Sequence, residues 1–305
     1  MDIQISANVI SIPELEFVGN FSNSDNKVFT IAWSQTGYYS YEKWHTNKYN
    51  LLIFYNDNII LKRRFFTFEV QLSTFNNGKI CDEGTSFIFE SYLGDEPLTY
   101  FYLFNKTGAI WIRYLIHANI YSAEISNDGH YAVFHTCNSD NDDGNKLFFF
   151  DLRKRMSLWK NEIDSGWPDD YEFDFQKKII FLVYKDHTKY AVGFNGAFLD
   201  KRKYEENFIK KADGVQLYFF SKNKIDMLKN NFTYNDVEEI ISLLNEAIKR
   251  KIDVPEIKAK IYREIGEIYE KLGDLGKTIK HFEKALAINP KVGVKLRLKE
   301  LKKTS

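Results

Sequence analysis

The apolar positions of this chain change period once, near residue 205. Up to about Tyr204, short apolar or alternating runs are separated by clusters of Asn, Asp and Gly, the pattern of strands joined by tight turns. Strands are predicted at Val28–Trp33, Asn50–Tyr55, Ile59–Arg63, Phe66–Phe75, Ser86–Ser91 and Leu98–Phe104. Further strands are predicted at Ala109–Tyr114, Tyr121–Ile125, Tyr131–Thr136, Lys146–Leu152, Lys178–Tyr184 and Tyr190–Phe194. Turns fall at Gln35-Thr36-Gly37, Asn76-Asn77-Gly78, Lys106-Thr107-Gly108, Asn127-Asp128-Gly129 and Asn195-Gly196, because Gly and Asn tolerate the positive φ that tight turns need. No long helical period interrupts this part, so residues 1–204 are expected to form an all-β domain.

After about Glu205 the period becomes 3.6. Thr233 with Asp236 has the spacing of a capping box, and Val237, Ile240, Ile241, Leu244, Ala247 and Ile248 then recur on one helix face. Asp253 with Glu256 predicts a second box, with Pro255 tolerated in the first turn. Gly273 closes that helix and Asp274 caps the next, which stops at Asn289-Pro290. A last helix is predicted over Val292–Lys302, packing Val294, Leu298 and Leu301. Residues 205–231 read as a linker or a short helix near Lys224–Asn230, and residues 232–305 as a helical domain.

Two groups of residues resemble known repeats. Tyr262, Ile265, Gly266 and Tyr269, then Thr278, Phe282 and Pro290, have the spacings of the tetratricopeptide repeat, with Thr278 where a small Ala is usual. The resemblance implies paired helices that bury their apolar faces by stacking on neighbours, and a surface that binds other proteins. In the β part, Ser126-Asn127-Asp128-Gly129 and Phe150-Asp151 resemble the turn and the aromatic–Asp pair of a WD-repeat-like propeller blade. Weaker groupings begin near Val28, Phe66 and Tyr171, at a period of about 40–50 residues. The expected fold is therefore a propeller-like antiparallel β domain followed by a short tetratricopeptide-type helical domain; a sandwich would give much the same strands.

Composition narrows the partners. The formal net charge is +0, so no global field draws the chain to nucleic acid or to a membrane. The balance is uneven: roughly +5 from Glu205 onward against roughly −5 before it. Lys291, Lys295, Arg297, Lys299, Lys302 and Lys303 crowd the end against Glu300, the pattern of a solvated capping helix. Cys81 and Cys137 stand far apart, and no leader or membrane-length apolar run is legible, which leads us to expect a cytoplasmic protein with reduced thiols.

Chemistry is sparse. The loop Asn138–Gly144 fails the calcium-loop pattern, because its sixth residue is Asp143 and its twelfth Phe149. His130 and His135 are an odd number apart and fall on opposite strand faces. Cys137 lies two residues from His135, but the pair alone is weak ground for a catalytic dyad. No phosphate-cradling loop or nucleophile elbow is present in the sequence. We expect no catalytic residue, no metal and no cofactor. The candidate contacts are Lys260, Arg263, Glu267 and Glu270, a solvent-facing stripe at helical spacing that the resemblance puts on the ligand groove. Some tetratricopeptide proteins hold a C-terminal carboxylate there with Lys and Asn; Glu267 occupies a slot where that clamp needs Asn. The leading expectation is a non-enzymatic adaptor that binds protein partners, within a multiprotein complex. The alternatives are an inhibitor or immunity-type protein directed at one enzyme, and an enzyme with its active site at the propeller mouth.

Overall fold

A computed structural model describes residues 2–34, 37–40, 43–46, 48–64, 73–92, 94–228 and 233–304. The chain divides into two compact units, Met1–Lys203 and Tyr204–Ser305.

The first unit is a series of antiparallel sheets. Strands β1 (Gln4–Ser6), β2 (Val9–Ile12), β3 (Phe17–Asn23), β4 (Phe29–Trp33), β7 (Leu51–Tyr55) and β8 (Asn58–Arg63) make the first, in the order β1-β2-β3-β4-β7-β8. A hairpin of β5 (Gly37–Ser40) and β6 (Lys43–Thr46) lies between β4 and β7 in sequence. The second sheet is β9 (Ser73–Ile80), β10 (Ser86–Tyr92), β11 (Thr99–Phe104) and β12 (Ile110–Ile116). The third is β13 (Ile120–Ile125), β14 (Tyr131–Thr136), β15 (Leu147–Asp151) and β16 (Met156–Asn161). A three-stranded sheet of β17 (Asp170–Asp174), β18 (Ile179–Val183) and β19 (Lys189–Gly193) follows. The second to fourth sheets are simple up-and-down meanders, as in propeller blades.

The sheets pack face to face, so the central ones are buried on both sides. In β15, Phe148 and Phe150 join a core with Phe87, Phe89, Phe101 and Phe134 of the second and third sheets. Leu147 and Phe149, pointing the other way, join Val133 with Tyr171, Ile180, Leu182 and Val192 of the last. That is why β15 reads as an unbroken apolar run rather than as an alternation. Phe29, Ile31, Trp33, Leu51 and Ile53 fill the space between the first and second sheets with Ile88, Tyr102 and Phe104.

The blade-like marks have structural work. Ser126 Oγ donates to Asp128 Oδ1 at 2.6 Å, Gly129 N returns to Ser126 O at 2.8 Å, and Gly129 takes φ +65°. Asp151 Oδ1 accepts from Lys154 N at 2.9 Å and closes the next turn.

Several expectations are corrected. Strands β1 to β3 precede the first expected strand and widen the first sheet. Of the expected strand Phe66–Phe75, residues 66–72 lie outside the described residues; Gln35 and Thr36 of an expected turn do too. The strand that forms runs on through Asn76-Asn77-Gly78, where a turn was expected. Asn77 has φ +48° beside a register shift between Phe87 and Phe89, so the Asn-Gly step makes a bulge instead of a hairpin. A Cβ on Gly78 would stand 2.6 Å from the Trp33 ring, so the position also needs the missing side chain.

In the second unit, helices α1 (Lys201–Lys211; its first three residues fall in the first unit) and α2 (Gly214–Leu228) occupy the stretch expected as a linker or short helix. They are held because Phe208, Leu217 and Tyr218 pack on Val237, Ile240 and Leu244 of α3 (Tyr234–Lys249). α4 (Pro255–Lys271), α5 (Leu275–Ile288) and α6 (Lys295–Thr304) complete the unit. The Thr233–Asp236 capping box forms in both directions. The expected Asp253–Glu256 box does not: Val254 is the cap residue, with no side-chain bond, and Asp253 instead pairs with Lys251 at 3.3 Å. α6 starts three residues later than expected, and Val292 and Val294 pack before it begins.

Candidate functional site

Two surfaces gather functional groups, one in each unit. In the helical unit α4 is buried on two sides. Ile261, Ile265 and Ile268 face the core with α2 and α3; Ala259 and Tyr262 join Phe282 and Ala285 of α5, Val294 just before α6, and Leu298 of α6. A Cβ on Gly266 would stand 2.5 Å from the Phe282 ring, so this position lets the helices touch. Thr278, at the slot usual for Ala, is fully buried, and its hydroxyl donates to Asp274 O at 2.8 Å. Its hydrogen bond makes the substitution tolerable.

The predicted stripe on α4 is only partly open. Lys260 is exposed. Arg263 Nε donates to Glu267 Oε1 at 2.8 Å, and Arg263 Nη1 donates to Val292 O at 3.2 Å. Glu270 accepts from Arg297 Nε at 2.9 Å, across to α6. Beside the stripe, Lys222 of α2 pairs with Glu264 at 3.4 Å. The stripe was expected to face solvent throughout. Instead Arg263 and Glu270 tie α4 to the C-terminal segment, because α6 closes on that flank.

In the β unit, β3, β9, β13 and β17 come together at one end around a cavity of about 380 Å³. Asn23, Asp25, Lys79, Glu124, Asn127, Asp170, Glu172 and Phe175 line it. Lys79 Nζ lies 2.6 Å from Glu124 Oε2, and Glu124 Oε1 accepts from Ile125 N at 2.9 Å. Burial raises the Glu124 carboxyl above its ordinary range against the opposing pull of Lys79. Asn127 Nδ2 donates to Asp25 Oδ2 at 2.5 Å, and Lys189 Nζ reaches both oxygens of Glu172, at 2.7 and 2.8 Å. Beneath, the Tyr171 and Ser122 hydroxyls meet at 2.8 Å, and burial raises the Tyr171 hydroxyl far above its usual value. The residues come from four sheets and from positions 23 to 175, so no local spacing could reveal them. The one sequence-level signal is the polar residues on or beside these four strands, such as Asn23, Lys79, Glu124 and Asp170.

The other candidates resolve into structural roles. Asp143 of the acidic loop accepts from His117 N at 2.9 Å and from Lys160 Nζ at 2.8 Å, so the loop is pinned to β16 and to the connection between β12 and β13. An open hollow of about 870 Å³ lies beside that loop, between Glu96–Leu98, His117 and Asn138–Asn141. His135 is fully buried; its Nδ1 lies 2.9 Å from Thr136 O, and its Nε2 has no hydrogen-bond partner. Burial lowers its pKa to about 4 and raises the Cys137 thiol. The neighbouring thiol makes no hydrogen bond to that nitrogen, so the two do not act as a dyad.

Residues 259–292 match the family model of the tetratricopeptide repeat, and the match covers all of α4 but its first turn, α5 and the turn that follows. The helical unit carries a tetratricopeptide repeat. The repeat is one helix pair, held by α2 and α3 on one side and α6 on the other. Such repeats stack into surfaces used for binding. No curated protein matches the chain by sequence.

Among solved structures, the β-propeller domain of Cps50 (Swd1) of Myceliophteria thermophila overlaps 60% of this chain and 57% of its own, at 12% identity and TM-score 0.34. The Dos1 propeller overlaps 57% of this chain and 42% of its own, at 16% identity and TM-score 0.36. The C-terminal WD40 domain of Sif2 overlaps 58% of this chain and 42% of its own, at 12% identity and TM-score 0.32. The chain thus spans about half the length of the propellers it overlaps. These overlaps are too loose to carry function, and the propeller-like description rests on the sheets themselves.

Proposed function

We propose that this chain is a non-enzymatic adaptor that binds partner proteins through its repeat surfaces, as one part of a larger complex in the cytoplasm. The observation that carries the proposal is the tetratricopeptide repeat at residues 259–292, built with its two cores filled and an outer flank of α4 left accessible at Lys260. Lys260, Arg263 and Glu267 are the contacts we assign on that flank. Glu270, tied to Arg297, acts by holding α6 in place.

The test is partner retention by the full chain. Lys260→Glu changes an exposed side chain and should shift stability by no more than about 0.5 kcal/mol. It should weaken retention of the natural partner, since a misplaced charge at an interface is repulsive. Reversing the Arg263–Glu267 pair is a poorer test, because a carboxylate at 263 would face the Val292 carbonyl. Undiminished partner binding by Lys260→Glu, with the fold intact, would remove α4 from the interface. One stoichiometric enzyme recovered in inhibited form would instead identify an inhibitor or immunity-type protein.

A second reading, an enzyme acting at the mouth of the β unit, draws support from Lys79, Glu124, Asp170 and Glu172 around one cavity. Turnover of a small molecule that Glu124→Gln abolishes would favour it.

A further inference from the structure

The end of the helical unit divides its charges unequally. Every carboxylate from Glu267 to Glu283 has a cationic partner. Glu267 pairs with Arg263, Glu270 with Arg297, Asp274 with Lys277 at 2.9 Å, and Glu283 with Lys302. Six lysines of the same region, Lys280, Lys284, Lys291, Lys295, Lys299 and Lys303, are exposed and have no carboxylate partner among the described residues.

Their placement is regular. Lys280 and Lys284 are one turn apart on α5, opposite the buried Thr278, Phe282 and Ala285. Lys295, Lys299 and Lys303 recur every fourth residue on α6, away from the buried Leu298. Lys291 lies on the turn between them. The Lys302–Glu283 bridge joins the two helices. These lysines lie on α5, on α6 and on the turn between them, none of them in the α4 stripe. Uncompensated like charges held on rigid helices repel one another, so a matching negative surface would relieve a standing repulsion.

The geometry points to an acidic protein segment, rich in Asp and Glu, as the occupant of this lysine face. Nucleic acid fits less well. Arg263 and Arg297 are each bound through Nε to Glu267 and Glu270, so the charge of this face left without a carboxylate is all lysine, without the paired guanidinium that phosphates favour. The rings that bases would stack on are covered: Lys284 Nζ lies 5.4 Å above the Tyr262 ring, Lys277 Nζ 4.8 Å above that of Tyr269, and His281 stacks on Tyr269 at 5.5 Å. The assignment rests on the adaptor reading and adds to it a second face with its own partner chemistry.

The experiment uses the full chain and a synthetic peptide of alternating Glu and Ser, with the Gln version and a single-stranded oligothymidine as controls. The Glu peptide should bind at low salt, and the Gln peptide should not. Combined Lys280→Glu, Lys284→Glu, Lys295→Glu and Lys299→Glu should weaken Glu-peptide binding by roughly tenfold or more, as should raised salt. The corresponding Lys→Gln set guards against a variant that fails to fold and should weaken binding in the same direction. Lys260→Glu is read only on the natural partner and the fourfold variants only on the peptide, so the α4 proposal and this one fail or stand separately. Equal binding of the Glu peptide by the folded fourfold variants would overturn the inference. So would oligothymidine binding more tightly at the same lysines. Self-association of the chain alone, abolished by the variants, would also overturn it and assign the face to the acidic β unit of a second copy.

Discussion

The two units solve one packing problem with different elements. Each contains an element buried on both sides: β15 in the β unit and α4 in the helical unit. In β15 successive residues serve different cores, Phe148 and Phe150 on one side and Leu147 and Phe149 on the other. In α4 the two cores are served by residues three and four apart, Ile261, Ile265 and Ile268 against Ala259 and Tyr262. The strand depends on partners far away in sequence, such as Phe101 against Phe150; the helix depends on near ones, such as Gly266 against Phe282. The β unit should therefore be sensitive to deletions at its inter-sheet contacts, and the helical unit to added bulk at its closest approach.

The strongest way to break this comparison is Phe134→Ala. The Phe134 ring lies 4.8 Å from that of Phe148, 5.1 Å from that of Phe89 and 5.6 Å from that of Phe150. Its removal should cost about 3–5 kcal/mol in the β unit. Denaturant unfolding followed by near-ultraviolet circular dichroism measures this, and a loss under about 1 kcal/mol would mean that the sheets do not pack as described.

His135, on the opposite face of the same strand, probes the β unit by pH. Its folded pKa, about 4, lies below the ordinary 6.5, because the buried ring is held neutral. As pH falls from about 6.5 to about 4, the unfolded chain takes up a proton that the folded chain refuses. This site therefore removes roughly 3 kcal/mol over that window and nothing above it. His135→Gln should flatten the wild-type slope between these values. An unchanged slope would place the titration elsewhere.

Gly266→Ala tests the helical side. The new methyl would press on the Phe282 ring and should cost about 1–3 kcal/mol, read from the melt of the helical signal at 222 nm. The β unit's transition should stay where it is. The smallest effect belongs to Thr233→Ala, which deletes a capping box and should cost about 1 kcal/mol in α3 alone. A shift of both units' transitions by either change would show that they unfold as one.

Local pattern determined much of this protein. The turn at Ser126–Gly129, the Thr233 cap and the spacing of Tyr262, Gly266 and Phe282 are each set within a few turns of chain. Hydrogen bonds and helix periodicity at that range depend on neighbours in sequence, which is why the repeat was legible. Only the tertiary structure decided the rest. Whether Asn76-Asn77-Gly78 turns or bulges depends on Trp33 and the β10 ladder, and whether residues 205–228 form a linker or helices depends on the apolar face of α3. The cavity at the ends of β3, β9, β13 and β17 and the partners of the α4 stripe were equally out of reach. Their components sit tens of residues apart, and charges and rings interact through distance in space, which spacing along a chain does not encode.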